Sequence, residues 1–95
     1  MTARYGRKLD ANHRTIVALL RALGARVATI QGEAGCPDLL IRVGKLERTA
    51  EVKPEGEVLN ANQVEWWRKW GCEPLVLRSN LDAIELVKSM RGVER

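Results

Sequence analysis

The chain has 95 residues, enough for one small domain with a single hydrophobic core. Apolar residues make up 45% and charged residues 29%, a globular balance that argues against a disordered or fibrous chain. Sixteen Lys and Arg against twelve Asp and Glu give a net charge of +4, which suits a polyanionic partner without requiring one.

Two cysteines and one histidine are too few for a disulfide framework or a zinc site, so Cys36 and Cys72 are expected as reduced thiols. No apolar run approaches the ~20 residues of a membrane span, and no stretch reads as a signal peptide. A cytoplasmic protein without a membrane partner is expected.

Residues 1–9 are polar and basic (Arg4, Arg7, Lys8) and read as a flexible arm, either solvated or resting on phosphates. Residues 10–95 read as the folded domain. Asp10 suits a helix N-cap, and a helix is predicted from Ala11 to Leu23, stopped by Gly24. Its Ile16, Leu19, Leu20 and Leu23 fall at i, i+3, i+4 and i+7, one apolar stripe. Ala25 to Gln31 follows as a strand. Gly32-Glu33-Ala34-Gly35 then makes a turn before Pro37.

The next stretch carries the chemistry. Asp38 to Val43 is an apolar strand, Gly44-Lys45 a tight turn, and Leu46 to Lys53 a second strand ending in Glu51-Val52-Lys53. Alternation puts Glu51 and Lys53 on one face and Val52 on the other. An antiparallel hairpin brings Asp38, at the start of one strand, close to Glu51 and Lys53 near the end of its partner. Two carboxylates and an ammonium converging at a sheet edge suit a divalent metal beside an activated water. An ordinary surface hairpin with Lys53 salt-bridged to Glu51 or Asp38 is the alternative.

Pro54 and Gly56 make residues 54–57 a loop. Asn60 caps a helix over Ala61 to Trp70, with Gln63 completing a capping box and Gly71 closing it. Gln63, Trp67 and Trp70 share a stripe, so Trp67 and Trp70 are expected in the core and Trp66 exposed. Pro74 to Arg78 reads as a last strand. Ser79 to Asp82 caps a final helix to about Met90, with Leu81, Ile84 and Val87 as its packing face. The order α-β-β-β-α-β-α implies an α/β fold, a central mixed sheet flanked by helices.

Pro37-Asp38, a gap of twelve residues and Glu51-x-Lys53 resemble the PD-(D/E)xK nuclease signature. With Gly35-Cys36-Pro37-Asp38-Leu39-Leu40, Leu59, Gln63, Trp67, Trp70 and Gly71, the chain looks similar to the small stand-alone members of the VRR-NUC branch. That resemblance implies a restriction-endonuclease-like αβββαβ core and a Mg²⁺- or Mn²⁺-dependent DNA endonuclease. It further implies a metal held by Asp38, Glu51 and the carbonyl of Val52, with Lys53 acting on the attacking water. Gln63 takes a site role by the same likeness, whereas its own position equally suits a capping glutamine. Branched, Holliday-junction-like DNA is the implied substrate and a homodimer the implied assembly.

The chain departs from the broader pattern in its first helix, where many such enzymes carry a glutamate. His13, with Asn12 beside it, falls there. Imidazole suits softer ions than Mg²⁺, so a contribution through water and a solvent-facing histidine both stay open. A non-catalytic nucleic-acid-binding subunit that keeps the fold is the second functional reading. A hydrolase of single strands or RNA is the third.

Overall fold

A computed structural model describes residues 2–94, with side chains described for residues 11–92. Four strands form one mixed sheet in the order β1-β2-β3-β4. They are β1 (Arg26–Thr29), β2 (Leu39–Val43), β3 (Leu46–Val52) and β4 (Val76–Leu77). β1 to β3 run antiparallel to their neighbours, and β4 adds to β3 in parallel. Three helices complete the fold: α1 (Thr2–Ala22), α2 (Ala61–Trp70) and α3 (Asn80–Glu94).

The β2–β3 hairpin forms as its pattern predicts. Leu39, Ile41 and Val43 are buried while Leu40 and Arg42 are exposed, the period-two signature of a half-covered strand. Leu39 lies opposite Ala50 and Val43 opposite Leu46, across a two-residue turn whose Gly44 has a φ of 63°. Arg42 and Glu47, opposite each other, close a 3.0 Å ion pair on the exposed face.

All of the apolar residues facing one way meet α1 and α3. Ile16, Val17 and Leu20 of α1 pack with Ala83, Leu86, Val87 and Met90 of α3 over Leu39, Ile41, Ala50, Val52 and Leu77. Each fully buried aliphatic side chain there contributes on the order of 1.5–3 kcal/mol. The guanidinium of Arg91 donates to the carbonyl of Leu23, joining α3 to the end of α1.

Several boundaries differ from expectation. α1 starts at Thr2 instead of Ala11, and Asp10 lies inside the helix rather than at its cap. Ala3, Arg4, Arg7, Lys8 and Leu9 are good helix formers, and one Gly6 among them costs only about 1 kcal/mol. The reading of Arg4, Arg7 and Lys8 as a phosphate-touching arm rests on side chains outside those described. β1 and β4 are shorter than predicted, because each pairs on one side only and extends no further than its partner allows.

The packing face of α3 is also corrected. Leu81 is 62% exposed, and the buried stripe is Ala83, Leu86, Val87 and Met90. No helix among the described residues is long and apolar enough to cross a membrane.

Candidate functional site

The second face of the sheet carries the polar residues. By strand register, Glu51 and Lys53 project from it, and Asp38 lies opposite Glu51 at the open end of β2. The Asp38 amide donates to the carbonyl of Ala50 at 3.0 Å, one step beyond the last ladder pair. The preceding Pro37 has no amide hydrogen and is buried, so the chain enters β2 in an extended, fixed path.

Asp38 then substitutes side chain for backbone. Its Oδ2 accepts from the Val52 amide at 2.8 Å, where the ladder between the two strands has run out. That bond holds the carboxylate against β3 beside Glu51. Along an extended strand the carbonyl of a residue leaves on the same side as its N–H. The Val52 carbonyl therefore points toward the Asp38 side.

Glu51 is the unusual residue. It is 0% exposed, the only charged group in the described interior. Burial, followed by the neighbouring Asp38 carboxylate, pushes its pKa from the ordinary 4.5 up to about 7; the Trp67 indole and the Lys53 ammonium pull back by less. Its Oε1 accepts from Gln63 Nε2 at 3.3 Å. Its Oε2 is buried with no hydrogen-bond partner. A buried carboxylate oxygen without a partner costs free energy on the order of 1–3 kcal/mol or more. A cation would remove that cost.

Helix α2 roofs this face. Asn60 accepts from the Gln63 amide and Gln63 Oε1 accepts from the Asn60 amide, both at 2.9 Å, the predicted capping box. Gln63 therefore does two things at once: its oxygen caps the helix, which turns its nitrogen onto Glu51. Trp67, one turn on, is 3% exposed but stands apart from the main core. Its indole N–H has no hydrogen-bond acceptor of full geometry and sits by Glu51 closely enough to favour the ionised form.

The loop before Asp38 fixes where the roof sits. Gly35 has a φ of +86°, and a Cβ there would lie 2.1 Å from the Asn62 carbonyl oxygen. Only glycine lets the two backbones approach this closely. On the other flank, Arg78 Nη1 donates to the Pro54 carbonyl at 3.0 Å and also to that of Glu57. By register Arg78 lies next to Lys53, so it ties the loop leaving Lys53 to the end of β4.

The hairpin thus brings Asp38, Glu51, Val52 and Lys53 together, and the capping box adds Gln63. Lys53 closes no ion pair among the described residues, so the salt-bridged surface hairpin is not what forms. His13 and Asn12 are not joined to the group: both are half-buried on α1, which covers the opposite face, and neither hydrogen-bonds Asp38 or Glu51. No three His, Cys, Asp or Glu side chains gather among the described residues, leaving Asp38 and Glu51 as a carboxylate pair.

Three contributors went unread in the sequence: Gly35 as the seat of α2, Trp67 as a neighbour of Glu51, and Arg78 as a loop tie. Only Trp67 had a signal, its i+4 spacing from Gln63. Trp70, expected inside, is 64% exposed, and Trp66 is half-buried against it. Trp70 stacks on Trp66 at the end of α2, next to the C-cap Gly71, and does not join the core cluster.

Comparison with protein-family models, with curated proteins and with solved structures finds no match.

Proposed function

We propose that this protein is a small metal-dependent DNA endonuclease, of the VRR-NUC type within the PD-(D/E)xK superfamily. The observation that carries the reading is Glu51: a fully buried carboxylate opposite Asp38, with one oxygen unpartnered. Two hard oxygen donors, with a backbone carbonyl aimed the same way, fit Mg²⁺ or Mn²⁺, which tolerate few protein ligands and keep several waters. The ion would supply neutralisation of the phosphate and acidification of the attacking water.

The remaining work falls to the chain. Asp38, fixed by the Val52 amide, and Glu51, fixed by Gln63, hold their oxygens in place without reorganisation during the reaction. The Lys53 ammonium, which closes no ion pair among the described residues and lies on the Glu51 face, orients the attacking water and stabilises charge on the phosphate. Water attacks phosphorus in line with the departing sugar oxygen, one P–O bond forming as the other breaks. Trp67 excludes bulk water from the Glu51 side.

Branched DNA is the proposed substrate class, and a homodimer would set two such sites against paired strands. The non-catalytic binding subunit has one observation in its favour: His13 and Asn12 stand where resembling nucleases carry a glutamate, and neither reaches the carboxylates. Cleavage of a four-way junction, a linear duplex and a single strand in Mg²⁺, Mn²⁺ and EDTA separates the readings. Metal-dependent cutting lost in Lys53→Ala supports the nuclease. Junction binding without cutting in either metal supports the binder.

A further inference from the structure

The stripe of α2 that faces the site continues past it to an aromatic surface without a cover. Gln63 and Trp70 are seven residues apart, so they lie on nearly one line along the helix, about 10 Å from one another. Gln63 donates to Glu51, while Trp70 is 64% exposed. Trp66 stacks on it with ring centroids 5.3 Å apart and planes inclined by 28°. Trp66, half-buried, also meets Trp67 edge-on at 5.2 Å, so the exposed Trp70 is braced through it by the buried indole beside Glu51.

We propose that Trp70, backed by Trp66, is a stacking platform for an unpaired base of the nucleic-acid strand held at Asp38, Glu51 and Lys53. The proposal rests on the nuclease reading and deepens it by naming what the site selects, a strand with a splayed base next to the cut. A stacked strand advances 3.4 Å per nucleotide, so about 10 Å corresponds to roughly three nucleotides, or fewer in an extended strand. A braced indole keeps one broad π face toward solvent at little entropic cost, which suits any base. Charge agrees: Glu65 is neutralised by Arg68 at 2.6 Å, while Lys69, three residues from Trp66 and therefore beside it, closes no ion pair among the described residues. The chain as a whole is cationic, at +4. A second copy, carrying the same +4 charge, is the less favoured occupant.

The test is binding of fluorescein-labelled oligo-dT by the full chain in EDTA, where nothing is cut, with and without one abasic position. Trp70→Ala is expected to weaken binding of the intact strand roughly 5- to 150-fold. Trp70→Phe should recover most of the loss, and Trp70→Leu, which keeps apolar bulk without a ring, should not. The loss should shrink for a probe whose abasic position faces Trp70.

Unchanged affinity in folded Trp70→Ala and Trp70→Leu would overturn the proposal, as would equal losses on intact and abasic probes. A fall in sedimentation mass with unchanged DNA affinity would assign the surface to a second copy instead. Cleavage by the same preparations keeps the two claims apart. Abasic-sensitive binding without metal-dependent cutting leaves the platform standing and removes the hydrolase. Cutting with indifferent Trp70 variants does the reverse.

Discussion

Replacing Glu51 by Gln removes the one ionisable group in the described core and tests how that core is built. The carboxyl pKa rises from 4.5 in the unfolded chain to about 7 in the folded one, chiefly by burial and then by Asp38. Between those two values the folded state holds one proton more than the unfolded, so stability falls as pH rises through the window and the full penalty applies above pH 7. At about 1.4 kcal/mol per pH unit the loss is on the order of 3 kcal/mol. Gln keeps the shape of the protonated acid and accepts from Gln63 in the same way.

Metal-free Glu51→Gln is therefore expected to match the wild type near pH 4.5. It should be more stable by about 2–3 kcal/mol at pH 8, roughly 10–20 °C in melting temperature for a domain of this size. Urea and thermal unfolding in EDTA across pH 4.5–8 measure the difference directly. A wild-type-minus-variant difference that stays flat with pH would refute the reasoning, because it would mean that Glu51 is hydrated in the folded state.

Further predictions follow from the frame around the site. Gly35→Ala should destabilise by at least ~2 kcal/mol in urea unfolding, since it adds a disfavoured φ to a 2.1 Å overlap with Asn62. Gly56→Ala, also at positive φ but with nothing within 4 Å, should cost only about 1 kcal/mol. Asn60→Ala should lose about 1 kcal/mol of stability by unbonding the Gln63 amide, while the residue-60 amide still holds Gln63 Oε1, so any cleavage activity should fall no further than the stability loss explains. Arg78→Ala removes the guanidinium donor from the carbonyls of Pro54 and Glu57, and exchange of the Glu57 amide, which bonds the Pro54 carbonyl, should accelerate while the β2–β3 amides stay protected.

The parts of this molecule legible in its sequence are those set by short-range rules. The β2–β3 hairpin declares itself by alternation around Gly44-Lys45, and α2 by Asn60, Gln63 and Gly71, residues whose side chains or φ values bond the adjacent backbone. Asp38 and Glu51 follow from the hairpin register alone. Choices among competing surfaces were not legible. The last helix offers Leu81, Ile84 and Val87 as well as Ala83, Leu86, Val87 and Met90, and contact with α1 selects the second set. Trp70 leaves its expected place in the core and stacks on a half-buried Trp66, a choice between two faces of α2 that the helical spacing does not decide. Gly35 and Arg78 act across 27 and 24 positions or fewer, contacts that no local pattern encodes.

Mn²⁺ titration, followed by calorimetry and electron paramagnetic resonance, tests most directly whether Asp38 and Glu51 form a cation site. At pH 8 the wild type should bind Mn²⁺ and gain thermal stability from it. Binding should weaken toward pH 5.5, where Glu51 holds its proton, and be lost in Asp38→Asn and Glu51→Gln. Mn²⁺ binding that survives both substitutions, or millimolar Mn²⁺ that leaves the wild-type melting temperature unmoved at pH 8, would contradict the account.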